Sequence, residues 1–195
     1  MSYDLLSALT AFAFVSSITP GPNNLMLMAS GANYGFRMTI PHMLGVGIGF
    51  AVMIVIVGMG LMQMFDRYPL AHQILTYVSV IYLLWLAWKI ATSEMPDMTT
   101  RTKTPMTFLQ AALFQWVNPK AWQMALTAIT LYAPDRSLWA VGMVALIFGL
   151  INLPCVSSWT VLGQKMQTVL SNRKRLMAFN WTMALLLVAT LLPVL

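Results

Sequence analysis

The chain has 195 residues, of which 59% are hydrophobic and only 8% charged, and its mean hydropathy is +0.74. Soluble proteins carry about 25% charged residues, so this composition excludes a soluble domain and indicates an all-α integral membrane protein with no separate globular part. A formal net charge of +6 would suggest nucleic acid in a soluble protein. Here the basic residues fall in short connections beside apolar stretches, and no nucleic-acid partner is expected.

A membrane-spanning helix needs about 20 mainly apolar residues. Six stretches qualify, roughly 5–31, 39–64, 70–92, 106–132, 138–163 and 175–195. The first lacks the positive leader of a signal peptide, carries Asp4 instead and is too long for one. It is therefore expected to remain as a span. In its middle lies Thr19-Pro20-Gly21-Pro22-Asn23, followed by Asn24. Two prolines and a glycine in four residues cannot continue an α-helix, because each proline lacks an N–H and its ring collides with the carbonyl four residues back. Lipid supplies no water to the freed backbone groups, so such a break must be buried in protein or line a wet cavity. A helix broken at the midplane points to a transport site; a proline kink of no chemical importance is the competing reading.

Between the spans stand Gly35-Phe36-Arg37, Asp66-Arg67-Tyr68-Pro69, the polar run 93–105, Pro134-Asp135-Arg136 and Ser171-Asn172-Arg173-Lys174-Arg175. The odd connections and the helix ends beside them hold Arg37, Lys89, Arg101, Lys103, Lys165, Arg173, Lys174 and Arg175, against only Arg67 and Arg136 on the other side. The positive-inside rule then puts the odd connections in the cytoplasm and both termini outside. Arg173 to Arg175 reads as an anchor on anionic headgroups, and Trp85, Trp88 and Trp139 as interfacial anchors. Gly45, Gly47 and Gly49 in the second span read as close-packing sites, with Gly45 and Gly49 at small-xxx-small spacing.

Halves of three spans each must cross the membrane in opposite senses, which makes an inverted repeat natural, about 1–97 and 98–195 within one membrane domain. Pro20 and Pro119 are 99 residues apart, as are Arg37 and Arg136. Pro119 also lies in a polar break, Gln115-Trp116-Val117-Asn118-Pro119-Lys120, deep in the fourth apolar stretch. Broken helices are therefore expected in the first and fourth spans. Lys120 is the one basic residue left after the loop count, and a lysine near the bilayer centre costs about 2.5–3.5 kcal/mol even on the mild insertion scale. No acidic residue is expected at its depth. Its partners are then asparagine side chains, unwound carbonyls or a substrate carboxylate; alternatively it snorkels to the surface. Asn152 before Pro154 in the fifth span, and Asn180 in the sixth, could complete a cavity.

The first-span motif at 19–23, with Gly35-Phe36-Arg37 after it and Asn118-Pro119-Lys120 in the fourth span, resembles the LysE/RhtB superfamily of amino-acid exporters. The resemblance covers essentially the whole chain. The third-span text Tyr82-Leu83-Leu84-Trp85-Leu86-Ala87-Trp88-Lys89 looks like the branch that exports cysteine and O-acetylserine, with homoserine and threonine exporters as relatives. It implies a multi-pass transporter of the bacterial inner membrane, exporting a small amino acid by ion exchange with the proton as coupling ion; the outward termini read from the charge count are then periplasmic. The partners expected are that amino acid, the bilayer and the proton, with a homodimer left open.

On this reading Thr19, Pro20, Gly21, Pro22, Asn23, Asn24, Asn118, Pro119, Lys120 and Asn152 are the candidate substrate-binding residues. Lys120 and N–H groups after Pro22 suit a carboxylate; freed carbonyls with Asn23, Asn24 and Asn152 suit an ammonium. A small channel or an exporter of another substrate class is the alternative. An intramembrane enzyme would need an acid and base, a nucleophile and base, or a metal set at one depth, and Lys120 alone is placed there. The single cysteine, Cys155, leaves no internal disulfide, and His42 and His72 lie apart, so no metal or cofactor is expected.

Overall fold

The computed structural model describes residues 2–61, 69–93, 104–166, 169–170 and 172–191. Asp66, Arg67, Tyr68, Arg101, Lys103, Ser171 and most of the polar run 93–105, which entered the reading of the connections, lie outside the described residues. The described chain holds eight α-helices and no strand. Helix α1 (Tyr3–Ile18) starts where the Ser2 side chain accepts from the Leu5 N–H, with Asp4 in its positive first turn. It stops at Thr19, and α2 (Pro22–Tyr34) begins with Pro22 at its first position, where the missing N–H costs nothing. The two are bent by 52°.

Gly35, at φ 80°, turns the chain straight into α3 (Phe36–Ile56), so the first connection is a single residue and Arg37 is already helical. Glycine takes that positive φ without a Cβ clash. A π-helical turn, Val57–Leu61, ends this segment at Gly60, whose φ is 116°. After α4 (Pro69–Ala91), Thr107 and Gln110 form a reciprocal capping box that opens α5 (Phe108–Phe114). A 3₁₀ turn, Gln115–Val117, and the extended Asn118 then lead into α6 (Pro119–Tyr132). The chain closes with α7 (Leu138–Met166) and α8 (Arg173–Ala189), the latter capped by Asn172.

Among the described residues, three helical stretches, Phe36–Gly60, Gln73–Ala91 and Leu138–Met166, are each long and apolar enough to cross a membrane, and the bent pair α1–α2 passes the same test when taken together, as one broken span or a re-entrant loop. Taken singly, α5, α6 and α8 have 7, 14 and 17 residues. The breaks expected in the first and fourth apolar stretches are both present. The proline that starts the second half is Pro22 in one and Pro119 in the other, so the pairing of Pro20 with Pro119 suggested by spacing is shifted by two residues.

Helix α2 is the axis of the molecule, with Asn24 through Asn33 all buried. It lies along α7, where a Cβ on Gly31 would strike the Thr160 carbonyl and one on Gly163 the Met28 carbonyl. This backbone contact is what a small-residue crossing in lipid permits. Gly45 and Gly49 likewise bring α3 onto α5, against Phe108, Ala111 and Ala112. Gly47 departs from the expectation: it faces α7, and its nearest neighbour, Leu153 Cδ1, would be 3.7 Å from an added Cβ. That is ordinary contact, so Gly47 is not a close-approach site.

One apolar cluster joins Leu9, Ala13, Phe50, Met53, Met124 and Phe148, with Phe50 and Phe148 edge to face at 5.4 Å. Another joins Leu25, Met26, Leu83, Phe114, Met183 and Leu187 from α2, α4, α5 and α8. The break at residues 19–21 falls at the seam between them. Trp85, Trp88 and Trp139 are exposed, and Lys89 Nζ lies 5.3 Å over the Trp85 ring, as interfacial anchors would.

Candidate functional site

The break in the first span leaves carbonyls without helical partners, and the fold satisfies each of them. The Ser16 carbonyl accepts from the Thr19 hydroxyl at 3.1 Å. Asn24 turns back so that its amide nitrogen donates to the Ser17 and Thr19 carbonyls, both at 2.8 Å. Trp159 of α7 donates its indole N–H to the Ile18 carbonyl at 3.0 Å. Lys120 Nζ donates to the Thr19 carbonyl at 2.7 Å, the Thr19 hydroxyl at 2.8 Å and the Pro20 carbonyl at 3.2 Å. Leu25 N–H closes the series on the Gly21 carbonyl. Backbone polar groups at membrane depth must be paired internally, and here side chains from α2, α6 and α7 do it.

Lys120 therefore has three oxygen partners from the opposite broken helix and does not rely on a carboxylate in the protein. Its approach depends on Gly21, since a Cβ there would lie 2.5 Å from Lys120 Cδ. Asn118 holds the other break: its Oδ1 accepts from the Lys120 N–H at 3.1 Å, capping α6. Asn23 and Gln115 clasp the two breaks together, at 2.8 Å from Asn23 Nδ2 to Gln115 Oε1 and 3.2 Å in return.

A cavity of about 20 Å³ opens where these residues meet, lined among others by Ser17, Asn23, Asn24, Asn118, Lys120 and Asn152. Asn152 donates to the Ser17 hydroxyl at 3.2 Å, while its own Oδ1 is buried with no hydrogen-bond partner among the described residues. An unpaired buried acceptor costs about 1–3 kcal/mol. Lys120 and the residue that carries this unmet acceptor thus line the same polar space. Phe50 and Met124 wall it on the side of the first apolar cluster.

Of the residues singled out from sequence, Gly21, Asn23, Asn24, Asn118, Lys120 and Asn152 line this cavity. Thr19 and Pro20 contribute oxygens to Lys120 from an exposed edge. Pro22 and Pro119 act by starting the second half-helices. Asn180 lies elsewhere: it accepts from Asn33 at 3.1 Å and donates to the Ser93 carbonyl at 2.9 Å, tying α8 to α2 and to the end of α4. Sequence reading left out Ser16, Ser17 and Trp159. The serines stand directly before the break, a usable signal, whereas nothing local marks Trp159.

Asn24→Leu tests the carbonyl pairing. It leaves the Ser17 carbonyl buried and unpaired, at about 1–3 kcal/mol, and the melting temperature of the purified protein should fall. An unchanged melting temperature would show that the amide is not needed there.

The family model for LysE type translocators matches residues 14–192 of the chain. The cysteine/O-acetylserine efflux protein of Salmonella choleraesuis (strain SC-B67) is 31% identical over 187 residues, 94% of each chain. That of Escherichia coli O1:K1 / APEC is 31% identical over 193 residues, 96% of each. No solved structure matches.

Proposed function

The chain belongs to the LysE type translocator family, and from that premise we propose that it exports a small neutral amino acid or derivative across the bacterial inner membrane in exchange for protons. The substrate type we infer is cysteine/O-acetylserine or homoserine/threonine. The first is the substrate in the name of the efflux proteins that match along nearly the whole chain. The family is one of transporters, and the chain is not an enzyme.

The observation that carries this reading is one cavity lined by both Lys120 and Asn152, whose Oδ1 has no hydrogen-bond partner among the described residues. A zwitterion needs a donor for its carboxylate and acceptors for its ammonium. All three Lys120 donors already point at Thr19 and Pro20 oxygens, so a carboxylate gains the lysine only by displacing them. That exchange frees the same oxygens to join Asn152 Oδ1 around the substrate ammonium. A cavity of about 20 Å³ has room for roughly one water. Binding therefore entails separation of the two broken helices at Lys120, which links substrate occupancy to movement. Lys120 is also the group we assign to proton exchange, as the one ionisable side chain among the described residues lining the cavity.

We further propose six spans, α1–α2, α3, α4, α5–α6, α7 and α8, arranged as inverted repeats of about 1–97 and 98–195 in one domain. The mirrored packing of α3 on α5 and α7 on α1 supports it, as does a break opening with proline in the first span of each half. The lysine and arginine distribution supports periplasmic termini. A homodimer fits this reading without being required by it.

The test is uptake of a panel of labelled amino acids into everted membrane vesicles under an imposed pH gradient. Uphill accumulation of a small neutral amino acid or its O-acetyl derivative, abolished by a protonophore, is expected. Equilibration that ignores the gradient would indicate a channel and overturn the exchange mechanism.

A further inference from the structure

Four buried side-chain polar atoms lack a hydrogen-bond partner among the described residues, and all four belong to residues that line one of two cavities. Asn152 lines the central one. Asn33, with its unmet Oδ1, and His42, with both ring nitrogens unmet, line the other, a space of about 70 Å³ between α2, α3 and α4. Ser30, Tyr34, Lys89 and Ser93 also line it. His42 is 2% and Asn33 5% exposed, so neither can reach bulk water.

The neighbours are already committed. Ser30 and Thr39 share a hydroxyl hydrogen bond of 2.9 Å, and Thr39 also donates to the Gly35 carbonyl at 2.8 Å. Asn33 Nδ2 donates to the Ala29 carbonyl at 2.7 Å and to Asn180 Oδ1 at 3.1 Å, which fixes the amide plane and leaves its own oxygen without a partner among the described residues. A buried imidazole presents one N–H donor and one acceptor; a cluster left unmet this way marks a place where a ligand supplies the missing partners.

We propose that this cavity is a second binding site for the exported amino acid, on the route to the central cavity. The inference rests on the export reading above. In this site the ammonium of a small zwitterion meets Asn33 Oδ1 and the unprotonated His42 nitrogen, the carboxylate lies toward Lys89 at the mouth, and the His42 N–H takes a side-chain oxygen or sulfur. The location agrees: Arg37 and Lys89 stand at this end of the bundle, the side assigned to the cytoplasm. Asn24 and Asn33 lie on the same helix, nine positions apart, or roughly 13 Å of helix rise. Helix α2 thus carries a polar site near each end.

The test uses the full-length protein in proteoliposomes with Cys155→Ala to remove the native thiol. Single reporters are placed at Ser16→Cys in the central cavity and Ser30→Cys in the second. Each is reacted with methyl methanethiosulfonate with and without O-acetylserine. At about ten times its Kd the ligand should slow modification about tenfold at both positions. Adding His42→Leu should erase protection at Ser30→Cys while keeping it at Ser16→Cys. The same change buries leucine in place of an unsatisfied ring, so the melting temperature should hold or rise. Protection at Ser16→Cys alone in the His42 protein would overturn the second site and leave the export reading standing. Protection at Ser30→Cys that survives His42→Leu would overturn the assigned contacts. Protection at neither position would overturn the export reading for this substrate, and this inference with it.

Discussion

Lys120→Met is expected to weaken binding by about ten- to 150-fold and to abolish efflux while leaving a folded, inserted protein. Methionine keeps an apolar stem of similar length and removes the cation of the central cavity. Two of the three oxygens it abandons keep a partner, the Thr19 carbonyl Asn24 at 2.8 Å and the Thr19 hydroxyl the Ser16 carbonyl at 3.1 Å, while the Pro20 carbonyl loses its bond on an exposed edge. What disappears is a charge-assisted bond to the substrate carboxylate, about 1.5–3 kcal/mol, or about ten- to 150-fold in affinity. Lys120→Arg separates binding from coupling. It keeps the charge but does not deprotonate, so labelled substrate should still bind to the purified protein while pH-driven uptake into everted vesicles fails. Normal export by Lys120→Met would make the lysine a bystander and leave the site to the broken backbone and the asparagines.

Gly163→Leu should have the largest effect on folding. A Cβ at this position meets the Met28 carbonyl and the backbone of Ala32, atoms that cannot swing aside as a side-chain tip can. Overpacking against movable side chains costs about 1–3 kcal/mol; here α2 must leave α7, and the pairing of Trp159 with the Ile18 carbonyl goes with it. The protein should lose its single size-exclusion peak and become protease-sensitive. Gly47→Ala, with nothing nearer than 3.7 Å, is the control and should elute as wild type. A well-folded Gly163→Leu protein would show that the crossing is looser than described.

The breaks were legible because proline chemistry is local: Pro22 and Pro119 at the head of half-helices follow from ring geometry alone. Lys120 stood out because charge in an apolar stretch is costly wherever the helix goes. The partner of that lysine was legible only as a class. That the Thr19 and Pro20 oxygens take it depends on how two helices a hundred residues apart cross. The same holds for Asn152, whose unmet oxygen exists only relative to Ser17. Gly47 was misread because its spacing matches Gly45 and Gly49 while its helical phase does not: two residues on, it points at α7 rather than α5. His42 was passed over as a stray histidine, since burial without a partner is a property of the packed molecule and not of the sequence.

The central claim is that one cavity grips both charges of an amino acid, the carboxylate through Lys120. The most direct measurement compares the Kd of O-acetylserine with that of its carboxamide, in wild type and in Lys120→Met. Wild type should prefer the carboxylate by about ten- to 150-fold, the worth of a charge-assisted hydrogen bond, and Lys120→Met should bind both equally weakly. The same preference in both proteins would contradict the claim and place the carboxylate elsewhere.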